Sequence, residues 1–326
     1  MGRYVLKRLV LMIPVILAVA VLIFSIMYFV PGNPASLIAG SDATAEEIAI
    51  KEHELGLDRP YLVRLLEFLR NMFLKFDFGR SYWTNKSVTE EMVQRLPRTA
   101  ILAGGAMIIA VLVGIPLGVF AAVHEGTLLD RVTVLLAVIG VSLPTFWLGM
   151  LLVLLFSLKL GLLPASGMKT WKAFILPIVA QSLGGISQLT RQSRSSMLEV
   201  IRADFVTTAR AKGLTERAVI YGHALPNAML PIISVLGGNL ANSLGGSLVI
   251  EQVFAIPGIG MYMITAVNNR DYPIVQASVV IISILFSLVV LLTDLAYAAV
   301  DPLIRAQFAG PAKKVKKEES EATSNA

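Results

Sequence analysis

The chain has 326 residues, 56% of them hydrophobic, and a mean hydropathy of +0.72, which is more apolar than a soluble domain of this size. Cysteine is absent, which excludes disulfides, thiolate metal sites and cysteine nucleophiles; His53, His124 and His223 are scattered without ligand spacing, so no metal site is expected. The formal charge of +6 is read as the basic loops of a membrane protein, not as a nucleic-acid surface.

Apolar runs of about 17–25 residues mark membrane spans, and they predict six helices near residues 9–30, 98–122, 133–158, 173–190, 229–250 and 274–300. The first follows Arg3, Lys7 and Arg8 and is longer than the apolar core of a signal peptide, so it is read as a retained helix. Segment 31–97 is polar with helical patterning. Within it Thr44 and Glu47 have the spacing of a capping box, and Pro60 opens a helix whose Leu62, Leu65, Leu66, Leu69, Phe73 and Phe76 share one face. We read this segment as a small outside cap whose apolar face rests either on the helix bundle or on lipid.

The fourth span is the least apolar, with Pro177, Gln181, Ser182, Gly184, Gly185 and Gln188. Charge placement argues for it. With six spans and both termini cytoplasmic, 15 Lys and Arg residues fall inside and only 4 (Lys159, Lys169, Lys172 and Arg270) in the short outside loops. Without that span, 9 basic residues between 159 and 226 would lie outside, against the positive-inside rule. The resulting division is residues 1–30 as N-terminus and first helix, 31–97 as extracytoplasmic segment, 98–300 as membrane core and 301–326 as cytoplasmic tail. From Lys313 that tail is charged without apolar periodicity and is expected to be disordered.

Enzyme constellations are missing: there is no nucleophile elbow, carboxylate pair or phosphate loop, and Gly-Lys does not occur as a dipeptide, so any ATP must be bound by another subunit. Ionisable residues within the spans are nearly absent too. Asp294 lies about two turns from the inner end of the last helix, and Glu251 lies at the outer end of the fifth; an ion-coupled carrier, which calls for midplane charges and internal repeats, is the weaker alternative. The most patterned segment is the inside loop 191–226, which reads as helix, break, helix. Arg191, Arg194 and Arg202 precede Asp204-Phe-Val-Thr-Thr-Ala-Arg-Ala-Lys-Gly213, where helix formers end at a glycine suited to a left-handed cap, and Thr215 begins a new helix. Such a helix held crosswise beneath the spans would present a knob to a cytoplasmic partner.

These residues resemble the inner-membrane permeases of binding-protein-dependent ABC importers, in the dipeptide, oligopeptide and nickel branch. The motif of that family is E-A-A, three residues, G, nine residues, I-x-L-P; here Thr207-Thr208-Ala209, Gly213 and His223-Ala224-Leu225-Pro226 stand at the same spacing. Further matches are Tyr4-Val-Leu-Lys-Arg8, Val30-Pro-Gly-Asn-Pro34, Arg95-Leu-Pro97, Leu162-Leu-Pro-Ala-Ser-Gly167, Glu251-Gln-Val-Phe-Ala-Ile-Pro-Gly-Ile-Gly260 and Asp301-Pro-Leu-Ile-Arg305.

The resemblance implies an all-α, polytopic type I importer permease in a prokaryotic cytoplasmic membrane. It also implies a similar second permease, two ATPase subunits that carry the ATP and Mg, and an extracytoplasmic solute-binding protein. Asp204, Thr208, Ala209, Arg210, Ala211, Lys212, Gly213 and Leu214, with His223, Leu225 and Pro226, are the expected ATPase-coupling residues. Glu251, Phe254, Pro257, Gly258 and Gly260 suit a re-entrant outer scoop that follows the coupled motion, since non-helical backbone is tolerated where it lines a cavity. Asn239, Asn242 and Ser243 are read either as pathway-lining residues or as hydrogen-bond partners of a neighbouring helix. The implied cargo is a short peptide, with nickel chelates, glutathione-like peptides, opines and oligosaccharides as alternatives.

Overall fold

The computed structural model describes residues 2–40, 42–168 and 170–300. Lys169, the tail 301–326 and its Asp301 motif, on which expectations were placed above, lie outside the described residues. The described residues are mostly helical: α1 (Gly2–Phe29), the cap helices α2 (Pro34–Ala39), α3 (Ala45–Glu54) and α4 (Tyr61–Lys75), then α5 (Val88–Val123), α6 (Leu128–Ser142), α7 (Thr145–Lys159), α8 (Trp171–Ile201), α9 (Asp204–Ala211), α10 (Glu216–Val253), α11 (Ile259–Asn268) and α12 (Tyr272–Val300). Five of these (α1, α5, α8, α10 and α12) are long and apolar enough to cross a membrane, and the α6–α7 pair makes a sixth span only if counted together. The chain is a polytopic membrane protein.

The span read as 133–158 is therefore not one straight helix. It bends by 100° between α6 and α7, because Pro144 lacks an N–H and forces its predecessor out of the helical region; Leu143 has ψ 127° and Pro144 ψ 129°. Proline acts more gently elsewhere. A wide turn with five-residue hydrogen-bond spacing at Ala110–Gly114 precedes Pro116, and another at Val219–Ala224 precedes Pro226. Both relieve the clash of the ring with the carbonyl four residues back while the helix continues. Several helices also run beyond their apolar stretch. Ser87 caps α5 by accepting from Glu90 N, so this helix starts at Val88, ten residues before the predicted span, and α8 continues to Ile201, so the loop predicted from 191 begins only at Arg202.

α8 is the central helix, packed by α5, α6, α7 and α10, while α12 bridges α1, α5, α10 and α11. Lipid gives helices little hydrophobic reason to associate, so close approach through small residues matters. Gly114 and Gly118 of α5 lie directly on α8: a Cβ on Gly118 would sit 2.5 Å from Thr190 O, and Thr190 Oγ1 donates to Gly114 O at 3.2 Å. Ala241 is buried as well, but Gly245 has open space before it.

At the end of the bundle away from α9, the capping box of Thr44 and Glu47 forms and α4 lies against α1. Phe24 stacks on Phe68 at 5.5 Å, and Tyr61 meets Phe24, Tyr28 and Phe29. The inward side of α4 runs Tyr61, Arg64, Leu65, Phe68, Leu69 and Met72; Leu65, Leu69 and Phe73 of the predicted face turn toward the protein, but Leu62, Leu66 and Phe76 are exposed. The cap is tied to the turn before α12. Asp271 accepts from Ser81 Oγ at 2.6 Å and from Tyr82 N at 3.1 Å, Trp83 Nε1 donates to Asn269 O, and Arg270 donates to Pro31 O.

Candidate functional site

Three regions carry the residues singled out above. At one end α9, the expected cross-helix, packs against the start of α10 and the last part of α8. Val206 and Ala209 face inward and share an apolar cluster with Met197, Val219, Ile220 and Ala224, so Ala209 anchors the cross-helix instead of projecting from it. Exposed are Asp204, Thr208, Arg210, Ala211, Lys212, Gly213 and Leu214, flanked by Phe205 and Tyr221. Gly213 has φ +81°, a conformation costly for any residue with a Cβ, and it turns the chain sharply into α10. The turn is closed on both sides: Thr215 caps α10 by accepting from Ala218 N, and Arg210 forks onto Glu216. That carboxylate holds the Arg210 guanidinium above its usual pKa. His223 is exposed and its carbonyl accepts from Asn227, while Leu225 and Pro226 follow the wide turn into the long part of α10.

Two further ion pairs brace this end. Arg194 of α8 forks onto Asp130 of α6, Nε to Oδ1 at 2.5 Å and Nη2 to Oδ2 at 2.8 Å, and Gly126 N adds a third bond to that carboxylate. Arg202, just before α9, donates from Nη2 to both carboxylate oxygens of Glu125, at 2.8 and 2.9 Å. The α5–α6 turn and α6 are thus joined by ion pairs to α8 and to the residue that leads into the cross-helix. Sequence reasoning saw these arginines only as positive charge; their partners are 64 and 77 residues away, and no local pattern announces such pairs.

At the opposite end Glu251 is fully buried. Its Oε1 accepts from Thr99 Oγ1 at 2.6 Å and its Oε2 from Met261 N at 2.9 Å, while Thr99 Oγ1 itself accepts from Ile259 N. Arg98 donates to Pro257 O at 2.9 Å. Phe254 is buried, and the glycines serve space here, since a Cβ on Gly258 would overlap the Glu251 carboxylate. The segment expected to be a scoop is a short connection pinned from within by a carboxylate, leading into α11. Thr99 is the partner that sequence reasoning missed, although a carboxylate at that depth requires one.

The third region is an open wall made by one face of α8 and one of α10. Exposed along α8 are Gln188, Arg191 and Ser195, and along α10 Gly238, Asn242, Gly245 and Gly246. By contrast the exposed positions of α6 include Leu135, Leu136, Val138 and Ile139, as suits contact with lipid. Asn239, Asn242 and Ser243 have different surroundings. Asn242 lies on the open wall, Asn239 is buried, and the Ser243 carbonyl accepts from Gln181 at 2.8 Å across the α8–α10 seam.

Comparison with known proteins agrees with this architecture. The family described as the binding-protein-dependent transport system inner membrane component matches residues 114–306, and its N-terminal companion matches residues 1–103. The glutathione transport system permease protein GsiC of Salmonella choleraesuis (strain SC-B67) is 43% identical over 94% of this chain and 99% of its own length. GsiC of Escherichia coli (strain K12) is 39% identical over the same shares. Among solved structures, an inward-facing MetNI methionine ABC transporter matches with a TM-score of 0.56 at 20% identity, covering 65% of this chain and 97% of the other, which shows the fold alone. The chain is a non-catalytic permease subunit and belongs to the family of binding-protein-dependent transport system inner membrane components.

Proposed function

We propose that this chain forms half of the path through which an ATP-driven importer takes up glutathione or a closely similar short peptide. The observation that carries this reading is the 43% identity to a glutathione transport permease across nearly the full length of both proteins. It favours glutathione over the wider peptide class, and over nickel, opine or sugar cargo. The complete importer contains a similar second permease, two ATPase subunits at the α9 end and a solute-binding protein at the cap end, with the α9 end in the cytoplasm.

The exposed surface of α9 and its turn, from Phe205 to Leu214, suits docking on an ATPase subunit. The braces from Arg194 and Arg202 suit the transfer of its displacement into α5, α6 and α8. ATP-driven closure of two ATPases would then bias which end of the α8–α10 wall is open. The test is uptake of labelled glutathione, and separately of a dipeptide, by cells that carry the whole transporter and by cells lacking only this chain. Loss of glutathione uptake alone supports the proposal; loss of dipeptide uptake with glutathione uptake intact overturns the substrate while leaving the importer class in place.

A further inference from the structure

The open wall of α8 contains a charge that the helix bundle does not use. Of the three arginines in and just beyond this helix, Arg194 and Arg202 each pair with a carboxylate, whereas Arg191 is exposed and has no ion pair or hydrogen bond among the described residues. At about 1.5 Å per residue, Arg191 lies about 24 Å along α8 from Ile175, one turn short of the Arg194 pair. A bare guanidinium at such a position in a membrane protein must meet water or an anion.

Its surroundings are suited to a solute. Arg191 lines a cleft of about 380 Å³ with Gln188 and Gln192 on the same helix, Val141 of α6 and Val235 of α10, a volume within the range that admits small organic molecules. Gln192 Nε2 donates to Ser196 Oγ at 3.0 Å, which orients that amide beside the guanidinium. The stripe continues to Ser195 on one side and across to Asn242 on α10. Leucines of the kind that cover α6 are absent from this stripe, so lipid is not its natural neighbour.

We infer that Arg191 is the point on this path that holds a carboxylate of the passing solute, with Gln188 and Gln192 offering amide partners to its peptide groups. This inference rests on the permease reading above and sharpens it to a chemical class: anionic, carboxylate-bearing peptides. A guanidinium presents two parallel N–H donors that match a carboxylate, and an ammonium does not. The same charge repels metal cations and gives no advantage to neutral sugars. The cleft is open, so a solute held here can also leave.

The test uses the complete importer in proteoliposomes, with its second permease, ATPases and binding protein. The readout is ATP-driven uptake of labelled glutathione and of the analogue whose glycyl carboxylate is an amide. The binding protein is the same in every sample, so a change in the ratio of the two rates reports the permease. For Arg191→Gln the glutathione rate and the ratio are expected to fall about tenfold, as when a charge-assisted fork is replaced by a neutral amide. Arg191→Lys is expected to retain an intermediate ratio, and Arg191→Glu to reduce glutathione uptake to background. An unchanged ratio in Arg191→Gln, even if both rates fall, overturns the proposal, and so does loss of the second permease on purification, because Arg191 would then be a subunit contact. If the wild-type importer takes up another peptide instead of glutathione, the proposed substrate fails, and the same ratio measured with that peptide still decides the role of Arg191.

Discussion

Arg210 and Glu216 meet across Gly213, Nε to Oε1 at 2.7 Å and Nη2 to Oε2 at 3.3 Å, so the tip of the cross-helix turn is held by a fork between the two helices it joins. A Cβ at Gly213 has free space around it; the obstacle is the left-handed backbone. We expect Gly213→Val to cost about 1–2 kcal/mol locally. It should leave membrane insertion intact and reduce ATP-driven uptake by at least about tenfold, because a shift of about 1 Å in a positioned group is costly. Uptake by the variant at the wild-type rate would remove the turn from coupling. Glu216→Ala, which breaks a solvent-screened pair, should leave the melting temperature in detergent close to that of the wild type.

The Glu251 lock makes a different prediction. Glu251→Ala removes the acceptor of Thr99 and Met261 at a fully buried position and should destabilise the protein by about 3 kcal/mol. Gly258→Ala drives a methyl group into that carboxylate, with an expected cost of about 1–3 kcal/mol. Thermal unfolding followed by tryptophan fluorescence would measure both, and wild-type stability of either variant would refute the lock.

The two braces beside the cross-helix should differ in strength. Asp130 is only 5% exposed in its side chain and Arg194 27%, against 43% and 69% for Glu125 and Arg202. Double-mutant cycles are expected to give a coupling of about 1.5–3 kcal/mol for Arg194–Asp130 and under about 1 kcal/mol for Arg202–Glu125. Equal couplings would show that burial does not distinguish them.

The cap offers a test in pH. Burial pushes the Asp271 carboxyl above its ordinary range, against the opposing hydrogen bonds from Ser81 and Tyr82. A carboxyl whose folded pKa exceeds its unfolded value binds its proton more tightly when folded. Its contribution is therefore fully present below the ordinary carboxylate range and is lost as pH rises through the folded value. Asp271→Asn should flatten that part of the stability curve, read from the fluorescence of Trp83, which is tied to Asn269 O in the same turn.

Most of the fold was legible because its signals are local. Apolar length located the spans, the spacing of Thr44 and Glu47 gave the capping box, and Gly213 followed by Thr215 marked a turn and a cap. What escaped depends on distant partners or on one proline. Hydropathy averages over Pro144 and so reports one span where the chain turns by 100°. The periodicity of α4 was recognised, but its inward side is set by Phe24 and Tyr28 of α1, which turns Leu62 and Leu66 outward. Ala209 carries the family spacing, yet its small size is used for packing against Val219 and Ile220. Asn239 and Asn242 are three residues apart on one helix, yet tertiary packing buries the first and leaves the second open.

The bend at Pro144 also bears on hydration. α6 ends about 22 Å from its start, and the last four carbonyls of any helix lack partners within it. Hydrocarbon cannot satisfy them. The carbonyls of Ile139 to Ser142 therefore need water or protein partners from outside α6, and Val141 among these residues borders the same cleft as Arg191. The bend thus places a demand for polar partners, from water or from protein, beside the unpaired guanidinium of Arg191, while the leucines earlier on α6 remain suited to lipid.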